Sequence, residues 1–468
     1  MIIKTVAGRF SIISLFFLQL FIYTFQPNVT QAAPFSQATP PAANFQMGTD
    51  ATVMLDKLAG PEGAAAAQEI AALGGGWVRL EFKATDPTNL KRYDRAISWL
   101  QIYGVQIMAV LVDPFATCYA DINDRDPAVF AQWVRDVYLK GCGVDSATSV
   151  HQLGFNELTA RYPYIQYWQL WNEPNVCGFL QSDLNACGYG LWRRDTTGGE
   201  RVGVRYGMQK FGALLATVYA ERANKQVKIV SGGILSAYNC SPEFDTPCNT
   251  NDHPGPDNCY KLLPWEDYGC DGGVNLLVNS DAVQDFLKTY RRLPFDLLGL
   301  HPYQFAAWAN GYVPPADYLI QDIQRNVRRF VGSATPILIS EWGFDLATTT
   351  NQPAACKYPV AAGTPQGCEQ NISTLMASMV EGINAHPDMN ISHCFWYNYT
   401  DQTATIQAGL LDQTGRKRSS YFTFQGAASK LGLASQQQIR AATFAGFVQV
   451  VENPKPGKAH GRWNLADV

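Results

Sequence analysis

Eight short apolar runs alternate with helix-forming segments from residue 45 to residue 431, and this alternation most narrows the possible folds. Short runs rich in β-branched and aromatic side chains predict strands. They fall at Phe45–Gly48, Trp77–Phe82, Val105–Val112, Ile165–Asn172, Val227–Ser231, Asp296–His301, Pro336–Glu341 and Ile391–Trp396. Eight strands alternating with helices predict a single-domain (β/α)₈ barrel of the TIM type.

Glycine, proline and N-cap residues punctuate the helical segments between these strands. The first two predicted helices end at Gly74 and Gly104, and Asp126 followed by Pro127 opens the third. Further helices are predicted over Arg201–Ala223, Ser280–Arg291, Pro315–Val331, Glu369–His386 and Ser419–Leu431. The alternative fold is an open parallel sheet. It would need an edge strand that the sequence does not show, and the dinucleotide fingerprint that often accompanies it is missing.

The N-terminal segment differs from the rest of the chain. Lys4 and Arg9 precede the apolar stretch FSIISLFFLQLFIYTF, and the step from Thr30 to Ala32 offers a small-residue cleavage site. We therefore expect a signal peptide over residues 1–32, a Pro/Ala-rich linker over 33–43, the barrel over 44–431 and a C-terminal tail of unassigned role over 432–468. The expected location is secreted or extracytoplasmic, with the cell envelope as an alternative, and membrane contact is expected only if the N-terminal segment stays uncleaved.

The chain has eleven cysteines, and ten of them form five near-neighbour pairs. In an exported protein such pairs predict disulfides, although the sequence leaves their connectivity open. The pairs lie almost entirely after the third, fourth, fifth and seventh strands, so we expect disulfide-stapled loops: Cys118 and Cys142, Cys177 and Cys187, Cys240 and Cys248, Cys259 and Cys270, Cys356 and Cys368. The remaining Cys394 lies in an apolar run and is expected to be a free, buried thiol.

The charge pattern favours a small or neutral ligand. The formal net charge is -4 and no long basic or acidic block occurs, so no nucleic-acid partner is indicated. The six histidines form no HxH or HxxxH pair and no CxxC occurs, which disfavours a metal-dependent barrel hydrolase. We expect neither a metal nor another cofactor.

Two glutamates stand where apolar strands end: Glu173 after IQYWQLWN and Glu341 after PILIS. In a barrel these are the fourth and seventh strands, so both carboxylates would point into the same mouth. Retaining glycosidases need two carboxyl groups about 5–5.5 Å apart, one as acid and one as nucleophile. Arg79 in the second strand would be an isolated buried cation without a partner, and an ionised Glu341 is its natural partner.

Several neighbouring residues suit the binding of a sugar. Asn172 precedes Glu173 and could hydrogen-bond a sugar 2-hydroxyl. In the motif LHPY, His301 is expected to hydrogen-bond Glu341 and Tyr303 to contact the sugar. Trp342 and Trp396 offer flat apolar faces for a pyranose ring.

Over about Asn44 to Leu431, these motifs resemble the clan A ("4/7") glycoside hydrolases, which include families 5 and 39. WNEPN at the fourth strand carries the resemblance most specifically, and SEWG and HPY support it. Asp113 stands where many family 5 members carry a histidine, and WQLWNEPN is equally similar to family 39, so both families stay open.

By this resemblance Glu173 is the acid/base and Glu341 the nucleophile, with Arg79, Asn172, His301, Tyr303 and Trp396 in support. The chain is accordingly expected to be a glycoside hydrolase that acts on β-linked oligo- or polysaccharide with retention. The alternative is a catalytically silent barrel that binds carbohydrate.

Overall fold

Eight parallel strands form the centre of the computed structural model, which describes residues 45–82, 87–111, 127–142, 152–175, 204–235, 272–302, 315–344, 346, 365–403, 407–433, 435–437 and 440–441. The strands are β1 (Gln46–Asp50), β2 (Gly76–Phe82), β3 (Gln106–Leu111), β4 (Tyr167–Leu170), β5 (Lys228–Val230), β6 (Leu298–His301), β7 (Ile337–Trp342) and β8 (Ile391–Trp396). A second piece of the fifth strand, β5′ (Ile234–Leu235), follows β5 after a three-residue interruption.

The sheet closes on itself through the two pieces of the fifth strand. The strand order is β5, β4, β3, β2, β1, β8, β7, β6, β5′, so β5 lies beside β4 and β5′ beside β6. Two isolated β-bridges complete the closure. Asn172, after β4, pairs with Gly233, just before β5′, and Val230 of β5 pairs with Leu297, just before β6. This order confirms the predicted barrel and excludes the open sheet.

Helices cover the outside of the barrel. They are α1 (Leu55–Ala59), α2 (Gly63–Ala71), α3 (Pro87–Ile102), α4 (Pro127–Trp133), α5 (Phe155–Arg161), α6 (Val204–Glu221), α7 (Gly272–Val278), α8 (Asp281–Tyr290), α9 (Pro315–Asp322), α10 (Arg328–Val331), α11 (Pro365–Ala385) and α12 (Ser419–Lys430). π-Helical turns, Val134–Tyr138 and Ile323–Val327, follow α4 and α9. Short 3₁₀ turns lie at Thr52–Met54 and Pro387–Met389, and Gly141–Cys142 pairs antiparallel with Gln152–Leu153.

The predicted positions of the strands and helices agree closely with the structure, because glycine and proline residues set many of their ends locally. Gly74 and Gly104 lie just beyond the ends of α2 and α3 with φ angles of 74° and 71°, a left-handed conformation that glycine adopts without steric cost. α4 begins at Pro127, whereas its predicted cap, Asp126, lies outside the described residues. The predicted fifth strand, Val227–Ser231, lacks the second piece Ile234–Leu235, because the regular pairing breaks after Val230.

Side chains fill both faces of the barrel wall. Alternate residues of the strands, together with Leu297 just before β6, form a small interior cluster: Trp77, Met108, Val110, Val230, Leu338 and Phe395. The other face packs in a larger cluster with the helices, to which Val78 and Leu80 of β2 belong. Parallel strands buried on both faces explain the continuous apolar runs of the sequence.

The cysteine predictions are tested at two positions. Cys394 is a free, buried thiol, as predicted. Cys368 in α11 is disulfide-bonded, and its predicted partner, Cys356, lies outside the described residues. The side chains of the other eight cysteines also lie outside them, so the loop staples stay a prediction.

The start of the predicted C-terminal tail packs on the amino-terminal end of the barrel. The side chain of Gln437 donates to the carbonyl oxygen of Tyr103 at 3.2 Å, and Nε of Arg440 donates to that of Gly104 at 3.2 Å. These contacts lie at the end opposite to the strand-end glutamates. Among the described residues, no helix is both long and apolar enough to span a membrane.

The filled barrel interior predicts opposite effects for two glycine-to-alanine changes. A Cβ atom at Gly48 in β1 would lie 2.5 Å from a ring carbon of Phe395 and 2.9 Å from Cβ of Trp77. Gly48→Ala should therefore destabilise the protein by about 1–3 kcal/mol through overpacking. Gly426→Ala is the matched control: a Cβ atom at this position in α12 meets nothing within 4 Å. It should stabilise the protein by about 0.5–1 kcal/mol. Thermal unfolding measures both, and equal melting temperatures would contradict the packing described.

Candidate active site

Glu173 and Glu341 meet at the carboxyl-terminal end of the barrel. Both are buried, with 7% and 5% of their surface exposed. One oxygen of each carboxylate and one ring nitrogen of His301 all lie within 4.8 Å of one another. The expectation that the fourth and seventh strands bring two carboxylates together is therefore met by the geometry.

A β-bulge directs Glu341 into the barrel. Ile337 and Ile339 of β7 belong to the outer apolar cluster, and strict alternation would send Glu341 to the same side. However, Ile339 pairs with Cys394 and Trp342 pairs with Trp396, so three steps along β7 match two steps along β8. The extra residue shifts the alternation, and the carboxylate of Glu341 consequently reaches the interior side chain of Arg79.

The end of β4 is redirected by left-handed backbone conformations. Trp171 has a φ angle of 70° and Glu173 one of 45°, conformations that cost a non-glycine residue about 1 kcal/mol or more. Backbone hydrogen bonds hold them: the N–H of Trp171 donates to the carbonyl of Leu111 at 2.9 Å, and that of Glu173 donates to Gly233 at 3.1 Å. Trp171 thereby packs in the outer cluster, while the side chain of Asn172 turns inward to Arg79.

Arg79 connects four strand ends. Its Nη1 pairs with Asp50 and lies 3.2 Å from Oε1 of Glu81, and its Nη2 lies 2.7 Å from Oε1 of Glu341. Nη2 also donates to Oδ1 of Asn172 at 3.0 Å. The predicted ion pair between Arg79 and Glu341 is therefore present. Because Oδ1 of Asn172 accepts from Arg79, the amide N–H group is the part of the Asn172 side chain that can donate a hydrogen bond.

His301 hydrogen-bonds the other glutamate. Its Nδ1 shares a 2.8 Å hydrogen bond with Oε1 of Glu173 and lies 3.6 Å from Oε2 of Glu341. The expected hydrogen bond to Glu341 is therefore wrong, since 3.6 Å is too long. Gly233 sets this position, because a Cβ atom there would lie 1.9 Å from Nε2 of His301.

Burial and close neighbours shift the pKa values of this cluster. The pKa of Glu341 is raised to about 7: burial is the largest cause and the charges of Glu173 and Asp50 add to it, whereas Arg79 and His301 act to lower the pKa. For Arg79, burial acts to lower the pKa of the guanidinium, but Glu341, Asp50 and Glu81 together raise it well above its ordinary value. Glu341 therefore keeps its proton to a higher pH than an exposed glutamate does.

The two predicted tryptophans lie in the apolar layer around the barrel. Trp342 and Trp396 are 3% and 1% exposed, and their rings pack edge to face at 4.9 Å. The indole N–H of Trp396 donates to the carbonyl of Ala408 at 3.0 Å. Their predicted contact with a sugar stays a prediction, as does that of Tyr303, which lies outside the described residues.

The sequence interpretation missed Asp50, Glu81, Gly233 and Tyr397. Asp50 is the last residue of β1, and Glu81 lies two residues after Arg79 in β2. Charged residues in an apolar strand mark its interior face, and both Asp50 and Glu81 lie on that face. Tyr397, directly after β8, is half-buried; burial and then the charge of Glu341 raise the pKa of its hydroxyl. Charged residues near strand ends, at positions that face the barrel interior, are the sequence signal that identifies Asp50 and Glu81.

Two groups of described residues bring three ligand-type atoms within 4.8 Å of one another: Glu173, His301 and Glu341, and Asp50, Glu81 and Glu341. In the second group the guanidinium of Arg79 contacts all three carboxylates, so this internal cation already balances part of their charge. In the first group the imidazole nitrogen is engaged with Glu173. The donor set fits proton transfer between side chains better than it fits a resident metal ion.

No protein-family model matches the sequence, and no curated protein matches it. Solved structures do match. A GH10 endoxylanase retrieved from a sugarcane soil metagenome is 12% identical with a TM-score of 0.48, over 83% of this chain and 98% of that chain. A GH10 xylanase from termite gut with a bacterial Ig-like domain is 12% identical with a TM-score of 0.49, over 85% and 79%. Xylanase 10B from Thermotoga maritima is 11% identical with a TM-score of 0.47, over 83% and 96%. Because these TM-scores lie below 0.5, the fold rests on this chain's own strand order, and no activity is assigned from them.

The raised pKa of Glu341 predicts a pH-dependent stability difference. A carboxyl group whose pKa rises from 4.5 to about 7 on folding contributes stability that is present below pH 4.5 and lost as the pH rises through 7. The loss amounts to roughly 3 kcal/mol. Glu341→Gln removes this titration, so the stability of the variant relative to the wild type should increase between pH 4.5 and pH 8. Thermal unfolding across this range measures the difference, and a pH-independent difference would contradict the burial described.

Proposed function

We propose that this chain is an exported glycoside hydrolase that cleaves β-linked oligo- or polysaccharides with retention of anomeric configuration. The observation that carries the proposal is the carboxylate pair Glu173 and Glu341, in which one oxygen of each group lies within 4.8 Å of one oxygen of the other. Inverting enzymes need a larger separation, about 6.5–9.5 Å, to admit a water molecule between the carboxyl groups. The spacing therefore favours a direct attack by one carboxylate.

Glu341 is the nucleophile in this proposal. The guanidinium of Arg79 lies 2.7 Å from its carboxylate and favours the ionised form. Glu173, which shares a hydrogen bond with His301, acts as the general acid and protonates the leaving oxygen. The Glu341 carboxylate attacks the anomeric carbon as the bond to the leaving oxygen breaks.

In the second step the roles of Glu173 reverse. Its carboxylate removes a proton from a water molecule, and that water breaks the bond between the sugar and Glu341. The bond of His301 to Glu173 holds this carboxyl group in place during both steps. Asn172, whose Oδ1 is bound by Arg79, presents its amide N–H group to the sugar 2-hydroxyl.

The remaining parts of the proposal concern substrate contacts and export. Tyr303, Trp342 and Trp396 complete the proposed sugar site, and we add Tyr397 because of its proximity to Glu341. The N-terminal segment directs export, and disulfides then staple the loops around the mouth of the barrel. The disulfide bond of Cys368 is consistent with an oxidising compartment.

Azide rescue distinguishes the two carboxylate roles. An aryl β-glycoside is first selected from a panel that the wild type cleaves. Glu341→Ala removes the nucleophile, so its activity should fall by at least about 10⁴-fold, and added azide should yield the α-glycosyl azide. Glu173→Ala should still form the glycosyl-enzyme from a substrate with a good leaving group, and azide should then yield the β-glycosyl azide.

Circular dichroism shows whether both variants are folded. Exchange of the two azide products would reverse the assigned roles. Binding of sugars by the wild type without cleavage of any glycoside or glycan in the panel would instead support the catalytically silent barrel.

A further inference from the structure

We propose that Asp50 is a positioning residue of the hydrolytic site: it orients the guanidinium of Arg79 so that one nitrogen serves both the nucleophile and the amide that binds the sugar. The inference rests on the proposed function for its catalytic meaning. The contacts that support it are properties of the folded chain.

Asp50 is itself firmly held. It lies directly opposite Arg79 in the register of β1 and β2, and its side chain is 2% exposed. The backbone N–H of Thr52 donates to its Oδ1 at 2.8 Å, which leaves Oδ2 to pair with Nη1 of Arg79. Its own carbonyl accepts from the N–H of Tyr399 at 2.8 Å. The carboxylate is therefore fixed before it contacts the guanidinium.

A fixed carboxylate determines where the rest of the guanidinium points. The group is planar and rigid, so holding Nη1 at Asp50 sets the direction of Nη2. Nη2 lies 2.7 Å from Glu341 and 3.0 Å from Oδ1 of Asn172. Through Arg79, Asp50 thus influences the nucleophile and the proposed 2-hydroxyl contact at the same time, without touching the substrate itself.

Glu81 contacts the same nitrogen but is a weaker candidate. Its Oε1 lies 3.2 Å from Nη1 of Arg79, and its side chain is 12% exposed. Asp50 is more deeply buried, and its second oxygen is bound by the backbone. We therefore assign the orientation of Arg79 to Asp50.

Asp50 also influences the charge of the nucleophile. The titratable and charged groups that face Glu341 come from β1, β2, the ends of β4 and β6, and the residue after β8: Asp50, Arg79, Glu81, Glu173, His301 and Tyr397. The negative charge of Asp50 raises the pKa of Glu341. Removal of this charge should therefore let Glu341 ionise at lower pH.

The test compares Asp50→Asn with Asp401→Asn. The control breaks another buried arginine–aspartate pair at the same end of the barrel, in which Arg418 lies 2.5 Å and 2.7 Å from the two oxygens of Asp401. For Asp50→Asn we expect kcat to fall about 10- to 100-fold, with KM changed less than about threefold. The acidic limb of kcat/KM, on which the nucleophile ionises, should move to lower pH. Asp401→Asn should lower the melting temperature but keep the wild-type acidic limb.

Asp50→Ser, with a smaller side chain, is measured alongside in case Asp50→Asn folds poorly. A wild-type kcat and acidic limb in either folded Asp50 variant would overturn the proposal, and so would the same shift of the acidic limb in Asp401→Asn.

The two proposals can fail separately. If the wild type cleaves no glycoside, the proposed function fails. The effect of Asp50 is then read from the pH dependence of the stability difference caused by Glu341→Gln, measured with and without Asp50→Asn. A midpoint that moves to lower pH with Asp50→Asn supports the role of Asp50, and an unmoved midpoint overturns it.

Discussion

The site depends on the ion pairs and the hydrogen bond that the guanidinium of Arg79 makes. This guanidinium is fully buried inside the barrel, where an unpaired cation would cost several kcal/mol. Carboxylates from β1, β2 and β7 and the amide of Asn172 surround it, so the cost is met only when four strand ends are in register. Correct closure of the barrel and assembly of the carboxylate cluster are consequently linked by a single side chain.

Regular strands alone would not build this cluster, and local irregularities complete it. The bulge in β7 turns Glu341 inward, and the left-handed residues Trp171 and Glu173 turn the end of β4. Gly233 opens the space that His301 occupies beside Glu173. These departures concentrate at the mouth of the barrel, while the interior apolar cluster below it is built from regular strands, as is typical of a rigid scaffold that carries a reactive site.

The sequence was sufficient for the order of elements and for the carboxylate pair, because these depend on local patterns. Apolar runs located all eight strands, and the single buried arginine of WVRLEF identified its partner Glu341. The predicted hydrogen-bond partner of His301 was wrong, because the position of this ring depends on the space left by Gly233, a residue distant in sequence. Asp50 was missed because β1 is short and weakly apolar, and its role appears only when β1 and β2 are paired. Alternation along PILISE could not reveal the bulge, because pairing with β8 creates it.

Trapping of the glycosyl-enzyme tests the central claim, that Glu341 is the nucleophile of a retaining hydrolase. A 2-deoxy-2-fluoro glycoside with an activated leaving group slows the second step more than the first, so the covalent intermediate accumulates. The sugar should be one whose aryl glycoside the wild type cleaves. Intact-mass measurement should show one added glycosyl unit, and peptide mapping should locate it on Glu341. Label on another residue, or turnover of the parent glycoside without any label, would contradict the account.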